Sequence, residues 1–358
     1  MFQLTAVESA ALRSQSFIVI YLESRYIDNY RDSRYNNAVN IHIPNSAFLG
    51  NIDPFLRGYD PSSPETIEVT ANEKWISVHP LVLSMIAARG LTVPPSNIRC
   101  EKLEAKSRHY LVRMGLFKML GISSDIDVTE HEEAGRFIPL SIIRTSDDLT
   151  RFITDMIPLL HAEAEQAKIL GYVISELVRN VLEHAEAPHG AVLCAQYYKK
   201  SNSIRIGIAD TGVGIKTTIT RSHVAATDLE AIRLALTPGI TGTTSREGGT
   251  EQNAGAGLFF IKSIAAVNRD FFVIYSGKGF YKLLKKSPAR RFSLNADPLE
   301  DRHSDAEDMP YWQGTLVGVD ITLNQTAEFT RLLDAIRDTY SEAIRERRRA
   351  PRKRPRFI

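Results

Sequence analysis

Apolar positions along the chain repeat sometimes every second residue and sometimes every third or fourth, and the alternation of these periods outlines an α/β protein. Short apolar runs at Phe17–Leu22, Val39–Ile43 and Ile67–Val69 predict strands, while Leu81 to Arg89 and Ser107 to Leu120 predict helices. Further on, Ser146–Asp147–Asp148 marks a helix start and Pro158 interrupts the pattern. His161 to Ala185 then reads as one long helix, ended by Pro188–His189–Gly190. Ala191 to Tyr198 and Ser203 to Ala209 read as a hairpin joined through Lys199–Lys200–Ser201–Asn202, with Ile204, Ile206 and Ile208 on one face. Asp228 to Leu236 and Leu258 to Val267 predict helices, and Phe271 to Tyr275, Phe280 to Leu284 and Leu316 to Leu323 predict strands. The polar stretch Ser287 to Pro310 is expected to be a surface excursion. Phe329, Leu332, Leu333, Ile336 and Ile344 predict a last helix, between Ala327 and Arg349, packed on the body.

The long helix carries two stripes. Leu170, Ile174, Leu177 and Val181 form an apolar one suited to a core. Glu176, Asn180, Glu183 and His184 form a polar one, whose continuation toward the helix start is Ile169 and Val173. A face that turns from apolar to polar halfway along suits the wall of a pocket. Two glycine patterns follow in order. Asp210–Thr211–Gly212–Val213–Gly214 ends a predicted strand, and Gly255–Ala256–Gly257–Leu258 opens a predicted helix after a long polar loop, residues 216 to 254. Glycines let a backbone approach a ligand without a Cβ in the way, and a glycine-led helix start offers free N–H groups to phosphate. A loop of that length inside a compact unit points to function or disorder.

In this order and context the three segments resemble the ATP-binding domain shared by gyrase B subunits, heat-shock chaperones of the ninety-kilodalton class, histidine kinases and MutL, the GHKL family. The resemblance covers about half the chain. It implies a two-layer α/β sandwich of the Bergerat type, with ATP and Mg²⁺ as its ligands. It makes Asn180 the magnesium ligand, whose amide oxygen suits a hard cation, and Glu176 the candidate general base. Asp210 becomes the acceptor for the adenine amino group, with Gly212 and Gly214 admitting base and sugar. Gly255, Gly257 and Leu258 stand at the phosphates, residues 216 to 254 take the place of the ATP lid, and the Thr315 hydroxyl supports Asp210. Arg179 and His184 read either as neighbours of phosphate or as an exposed arginine and a satisfied histidine. Lys262 reads as a surface lysine, and no role is assigned to Arg246, Glu247 or Asn253.

The first unit is fainter. Trp75 to Arg89, Ile98–Arg99–Cys100 and Tyr110 to Phe117 resemble the STAS domain of anti-sigma antagonists. The phosphorylatable Ser-Gly turn of that family is here Ser77–Val78–His79–Pro80, and Ser77 reads as an ordinary turn or cap residue.

Composition bounds the whole. A chain of 358 residues, 43% hydrophobic, can bury more than one core. The expected division is a small α/β domain over 1–138, the ATP-binding domain over 139–325, and a helix with a basic tail over 326–358. Cys100 and Cys194 have no metal-ligand spacing and suggest a reducing compartment. No apolar run is long enough to cross a bilayer, so a cytoplasmic protein without membrane contact is expected. The net charge of +2 hides eight basic residues between Arg345 and Arg356, set against Glu346 alone. Such a run suits nucleic acid or a solvated end. The function expected is a slow Mg²⁺-dependent ATPase acting as a conformational switch on a protein partner, with homodimerisation as in the family. The runner-up is a serine/threonine kinase resembling the anti-sigma kinases, which share Glu-x-x-x-Asn-x-x-x-His, and a nucleotide-gated binding module without turnover is the third reading.

Overall fold

The computed structural model describes residues 38–62, 65–73, 76–100, 105–123, 137–160, 162–242, 257–285, 294–323 and 329–349. The chain first forms β1 (Ala38–Ile43), β2 (Ser46–Ala47), α1 (Asp53–Arg57), β3 (Thr66–Ala71), β4 (Ser77–Val78), α2 (Pro80–Gly90), β5 (Ile98–Arg99), α3 (Ala105–Arg113) and α4 (Leu116–Leu120). It continues with β6 (Phe137–Ile143), α5 (Ser146–Met156), α6 (Ala164–Asn180), β7 (Ala191–Tyr198), β8 (Ser203–Ala209), α7 (Gly214–Ile219) and α8 (Asp228–Ala235). Last come α9 (Gly257–Val267), β9 (Phe272–Gly277), β10 (Gly279–Leu283), β11 (His303–Ala306), β12 (Trp312–Thr322) and α10 (Phe329–Arg349). The protein is a mixed α/β structure. The expected strand Phe17–Leu22 and the residues 350–358 lie outside the described residues.

The central sheet has seven strands in the order β11-β10-β9-β12-β8-β7-β6, all paired antiparallel. Strand alternation gives it two different faces. Ile204, Ile206 and Ile208 of β8 and Val317, Val319 and Ile321 of β12 point to one face, where α5, α6 and α9 close a core with Leu170, Leu177, Phe259 and Ile261. The other face shows Arg205 and Gly207 of β8 opposite Asp320 and Gly318 of β12. On this second face sits α2, and the parallel strands β1, β3 and β5 share its core with Val192, Val273 and Tyr275 of the large sheet.

Missing side chains make that seat. A Cβ on Gly207 would lie 2.1 Å from the Leu81 nitrogen, and one on Gly318 would lie 2.7 Å from Leu49 Cδ2. The first turn of α2 therefore rests on bare backbone. Its N-cap is His79, whose Nδ1 accepts the Leu81 N–H at 3.0 Å, with Pro80 at the first helical position. Ser84 Oγ donates to the Gly207 carbonyl at 2.9 Å and Cys194 Sγ to the Pro80 carbonyl at 3.4 Å. His79 Nε2 faces Asp320 Oδ1 at 3.2 Å. The Arg205 guanidinium lies in the corner between the edge-to-face rings of Phe48 and Tyr198, 4.2 and 4.0 Å from their centroids.

Several local expectations change in the folded chain. The stretch Ser107 to Leu120 is two helices, because Gly115 adopts φ +79° and breaks the path between them. Ser77 lies in β4, where its N–H donates to the Asn45 carbonyl, so His79 is the cap instead. The long helix starts at Ala164 behind a Glu163/Gln166 capping box, leaving His161 outside the described residues. After Asn180 it widens into a π-helical turn, Val181–Ala185. Part of the polar stretch Ser287 to Pro310 is built into the fold, since β11 pairs with β10 as the edge strand. Lys262 is not a surface residue. It is 1% exposed and its Nζ meets Asp301 Oδ2 at 2.7 Å and the Asn295 carbonyl at 2.9 Å, so a buried ion pair ties that excursion to α9.

The seat of α2 predicts opposite results from two glycine substitutions. Gly207→Ala should destabilise the protein by about 3 kcal/mol, because backbone cannot yield to the added carbon. Gly171→Ala, inside α6, meets nothing nearer than 3.7 Å and should gain up to about 1 kcal/mol from helix propensity. Urea denaturation of the two variants checks both signs.

Candidate functional site

One cavity of about 270 Å³ opens on the helical face of the sheet, opposite the seat of α2. The wall formed by α6 brings Glu176 and Asn180 to it, one turn apart. Glu176 is partly buried, and loss of water around the carboxyl raises its pKa; Arg179 opposes the shift and Glu183 adds to it. Arg179 lies 3.8 Å from Glu176 Oε1 and donates from Nε to Glu183 Oε1 at 3.1 Å, so one guanidinium is shared between two carboxylates. Asn180 Nδ2 is buried and has no hydrogen-bond partner among the described residues. A buried amide left unpaired costs free energy on the order of 1–3 kcal/mol unless an external group meets it.

The π-helical turn after Asn180 has a visible purpose. It delivers the Ala185 carbonyl to the Val213 N–H at 2.7 Å, and a Cβ on Gly212 would come within 2.0 Å of that carbonyl. Thr218 Oγ1 donates to the His184 carbonyl at 3.2 Å, adding a second tie. π turns are concentrated at functional sites, where they re-aim the chain. His184 lines the cavity, and burial lowers its pKa, which favours the neutral ring.

Asp210 forms the floor. It is 2% exposed and its pKa is pushed up to about 7 by burial, against the pull of backbone N–H groups of Gly212 and Thr315. The Gly212 N–H reaches Asp210 Oδ1 at 2.8 Å. Its main chain is held equally firmly: the Asp210 N–H donates to the Thr315 carbonyl at 2.9 Å, and Trp312 Nε1 donates to the Asp210 carbonyl at 3.1 Å. Gly214 takes φ +79°, a conformation that favours glycine, and so turns the loop into α7.

Most of the residues singled out by sequence meet here. Glu176, Asn180, Asp210, Gly214, Gly257, Leu258 and Thr315 all line the cavity. Gly212 stands behind them against Ala185. Gly257 begins α9 directly against Glu176, since a Cβ there would fall 2.4 Å from Glu176 Oε2. The expected support of Asp210 by the Thr315 hydroxyl takes another form: that hydroxyl points to Ser276 Oγ at 3.4 Å, while the Thr315 backbone holds the aspartate. Gly255, Arg246, Glu247 and Asn253 lie outside the described residues. The described part of the segment expected as a lid, 216–242, is more ordered than a plain loop: α7 and α8 pack together through Ile219, Ala225 and Ala231, and Thr241 and Gly242 line the cavity.

The chain matches no protein-family model and no curated protein sequence. Its own geometry therefore carries the reading of this cavity. Among the described residues no group of three or more His, Cys, Asp or Glu side chains is placed to hold a metal ion. A cation here would rest on one protein oxygen, from Asn180, and on oxygens brought by its ligand. No helix of the described residues is long and apolar enough to cross a membrane.

Two residues of the site carried no mark in the sequence. Ser276, within the apolar strand β9, accepts the Ile215 N–H at 3.0 Å and donates to the Gly314 carbonyl at 2.7 Å, stitching the Asp210 loop to β12. Tyr172, one turn before Glu176, lines the cavity and stacks obliquely on Phe260 of α9, with ring centroids 6.2 Å apart.

The raised pKa of Asp210 has a sign that stability measurements can read. A carboxyl more easily protonated in the folded chain than in the unfolded one costs stability once both forms are ionised. Its contribution is fully favourable below about pH 4 and is lost as pH rises through about 7. Asp210→Asn keeps an acceptor for the Gly212 N–H and removes the charge. The variant should melt higher than the parent at pH 8, with the gap closing toward pH 4; a parent that is the more stable at pH 8 would contradict the assigned burial cost.

Proposed function

We propose that this protein is an ATP-binding switch of the GHKL type, built on the Bergerat form of two-layer sandwich, that hydrolyses ATP slowly with Mg²⁺. The observation carrying the proposal is the meeting in one cavity of Glu176, Asn180, Asp210, Gly257 and Thr315, from four separate elements or loops. Asp210 accepts the amino proton that adenine offers and guanine does not. Gly212 and Gly214 keep the floor free of side chains, and the backbone at Gly257 faces the phosphates with the positive end of α9.

The residues suit a magnesium-bound triphosphate. The buried Asn180 Nδ2 is an unmet donor in the cavity wall, suited to a phosphate oxygen, and the oxygen of the same neutral amide would hold Mg²⁺ without adding negative charge beside phosphate. When bound, Mg²⁺ would neutralise phosphate charge. Glu176 takes the proton of an attacking water, helped by a partly buried setting that raises its proton affinity. Arg179 holds that carboxylate, and the α7–α8 segment excludes bulk water at the rim.

The kinase reading remains the main competitor, with one restriction. The unit of α2 and the parallel strands sits on the far face of the sheet, because Gly207 faces α2 while its neighbour Ile208 faces the cavity. Ser77, just before α2, is therefore remote from any phosphate in the cavity, and a kinase of this build would act on another protein. In the switch reading that unit is a fixed cover of the sheet, and the cavity rim is the part that signals to a protein partner.

Incubation of the pure protein with Mg²⁺ and ATP labelled at the γ-phosphate separates the readings. Label is expected as free phosphate. Glu176→Ala should retain nucleotide binding and lose turnover by about a hundredfold or more. Asp210→Asn should weaken binding by about 10- to 100-fold, the worth of a hydrogen bond to a charged acceptor. Label transferred to a protein would replace the ATPase by a kinase, and bound nucleotide without turnover would leave a nucleotide-gated binding module.

A further inference from the structure

One side chain, the Trp312 indole, belongs to the α2 face of the sheet and ends at the floor of the cavity. It is buried in the core that α2 shares with β1 and β3, yet its Nε1 donates to the Asp210 carbonyl at 3.1 Å. A β-bulge makes this reach possible. β12 pairs with β9 as Trp312 with Gly277 and Thr315 with Ser276, so Gln313 and Gly314 are extra residues in the strand. Bulges re-aim side chains beside functional sites. Here the Thr315 N–H is given to the Asp210 carboxylate, and the Asp210 carbonyl is met by the indole instead. Gln313 Nε2 grips the Gly212 carbonyl, two residues on.

The indole is itself held from the other side. Residues 49–59 cross the sheet as a strap: Leu49 sits against Gly318 of β12, Gly50 against the Phe271 ring, and Asp53 pairs with Lys282 of β10. After α1, Arg57 donates to Asp308 Oδ1 from both terminal nitrogens, at 3.3 and 3.2 Å. The strap ends with the half-buried Tyr59, whose ring is tilted on the indole with centroids 5.3 Å apart. These ties are unequal. Arg57 and Asp308 are exposed, and such a pair contributes little. An aromatic contact on a buried ring and a buried hydrogen bond each suffice to change a binding constant by about three- to tenfold.

We infer that Tyr59 and Trp312 are positioning residues for Asp210. The strap holds the indole in the bulge, the indole N–H occupies the Asp210 carbonyl, and the carboxylate keeps the Thr315 N–H and with it its aim into the cavity. Without the indole N–H, the carbonyl competes with the carboxylate for that one donor, because a buried carbonyl left unmet is costly. Neither Tyr59 nor Trp312 lines the cavity. The N-terminal part of the chain thus sets how tightly the cavity holds its ligand without touching that ligand. The identity of the ligand as an adenine nucleotide rests on the ATP-binding reading; the positioning of Asp210 does not.

Full-length variants test this with two readouts. Hydrogen exchange followed by mass spectrometry needs no ligand. The amides of 210–215 are tied to the Thr315 carbonyl, the Asp210 carboxylate, the Ala185 carbonyl and Ser276 Oγ. Trp312→Phe, which keeps a ring and removes the N–H, and Tyr59→Leu should each speed their exchange about tenfold, with β7 and β10 unchanged. Tyr59→Phe keeps the ring and should restore the parent rate. Calorimetric titration with Mg²⁺ and ADP should show Kd weakened about tenfold by Trp312→Phe and about three- to tenfold by Tyr59→Leu, and ATP turnover should show the loss in KM and not in kcat. If Trp312→Phe fails to fold, the two variants of the half-buried Tyr59 carry the test. Parent-like exchange at 210–215 in folded Trp312→Phe or Tyr59→Leu, or faster exchange spread evenly over the chain, would overturn the proposal. A parent that binds no nucleotide would count against the ATP-binding reading alone, and exchange at 210–215 would still decide this one.

Discussion

The pairing of β8 with β12 is the interaction on which the other parts depend. Its register sets Ile206 beside Val319 on one face and Gly207 beside Gly318 on the other, and at its end the Asp210 N–H meets the Thr315 carbonyl. One ladder thereby supplies the apolar bed for α6 and α9, the bare seat for α2 and the floor of the cavity. A slip of one residue would exchange the two faces. Isoleucine side chains would then stand where the Leu81 backbone needs to pass, and Arg205 would enter the core.

Two buried groups of charges hold neighbouring elements in place, the first of them within that ladder. Asp320 is placed opposite Arg205 in the ladder and also faces the cap of α2, His79. The Nδ1 of His79 accepts a backbone N–H, so the neutral ring carries its hydrogen on Nε2, toward the aspartate. Burial lowers the His79 pKa and keeps the ring in that neutral form. Lys262 and Asp301 form the second group, both 1% exposed in their side chains. Desolvating such ions costs several kcal/mol, which their attraction offsets only in good geometry. Their physical value lies in selectivity: neither pair tolerates a neighbouring strand or helix in a shifted position, because an unpaired buried charge is far more costly than an unfilled apolar contact.

What could be read from sequence divides along the range of the interactions involved. The hairpin β7–β8, the start of α5 and the stripes of α6 follow from contacts within a few residues, and periodicity reveals them. Glu176, Asn180 and Asp210 were legible because each sits in a short pattern with a chemical meaning. Ser276 was not, since one serine in an apolar strand has no local reason to stand out. Gly207 and Gly318 did carry a signal, as glycine inside a strand marks a close approach, yet the approaching helix is more than a hundred residues away from either. Lys262 misled for the same cause. A lone lysine in Leu258 to Val267 looks solvated until Asp301, 39 residues on, is brought beneath it. The π turn is a backbone event answering to the Val213 N–H, and no side-chain pattern records it.

Coverage of the sheet on both faces has a mechanical consequence. A sheet clad on one side can change its twist against solvent, but here any such change must also displace α2 from its glycine seat, where backbone already meets backbone. The central layer is therefore stiff. Compliance is left to the rim, where α7 and α8 meet through a small cluster around Ile219, Ala225 and Ala231, with Ile232 and Leu236 tying α8 to the main core. Strain introduced at the cavity floor cannot dissipate downward through the strands, and is directed sideways toward the rim.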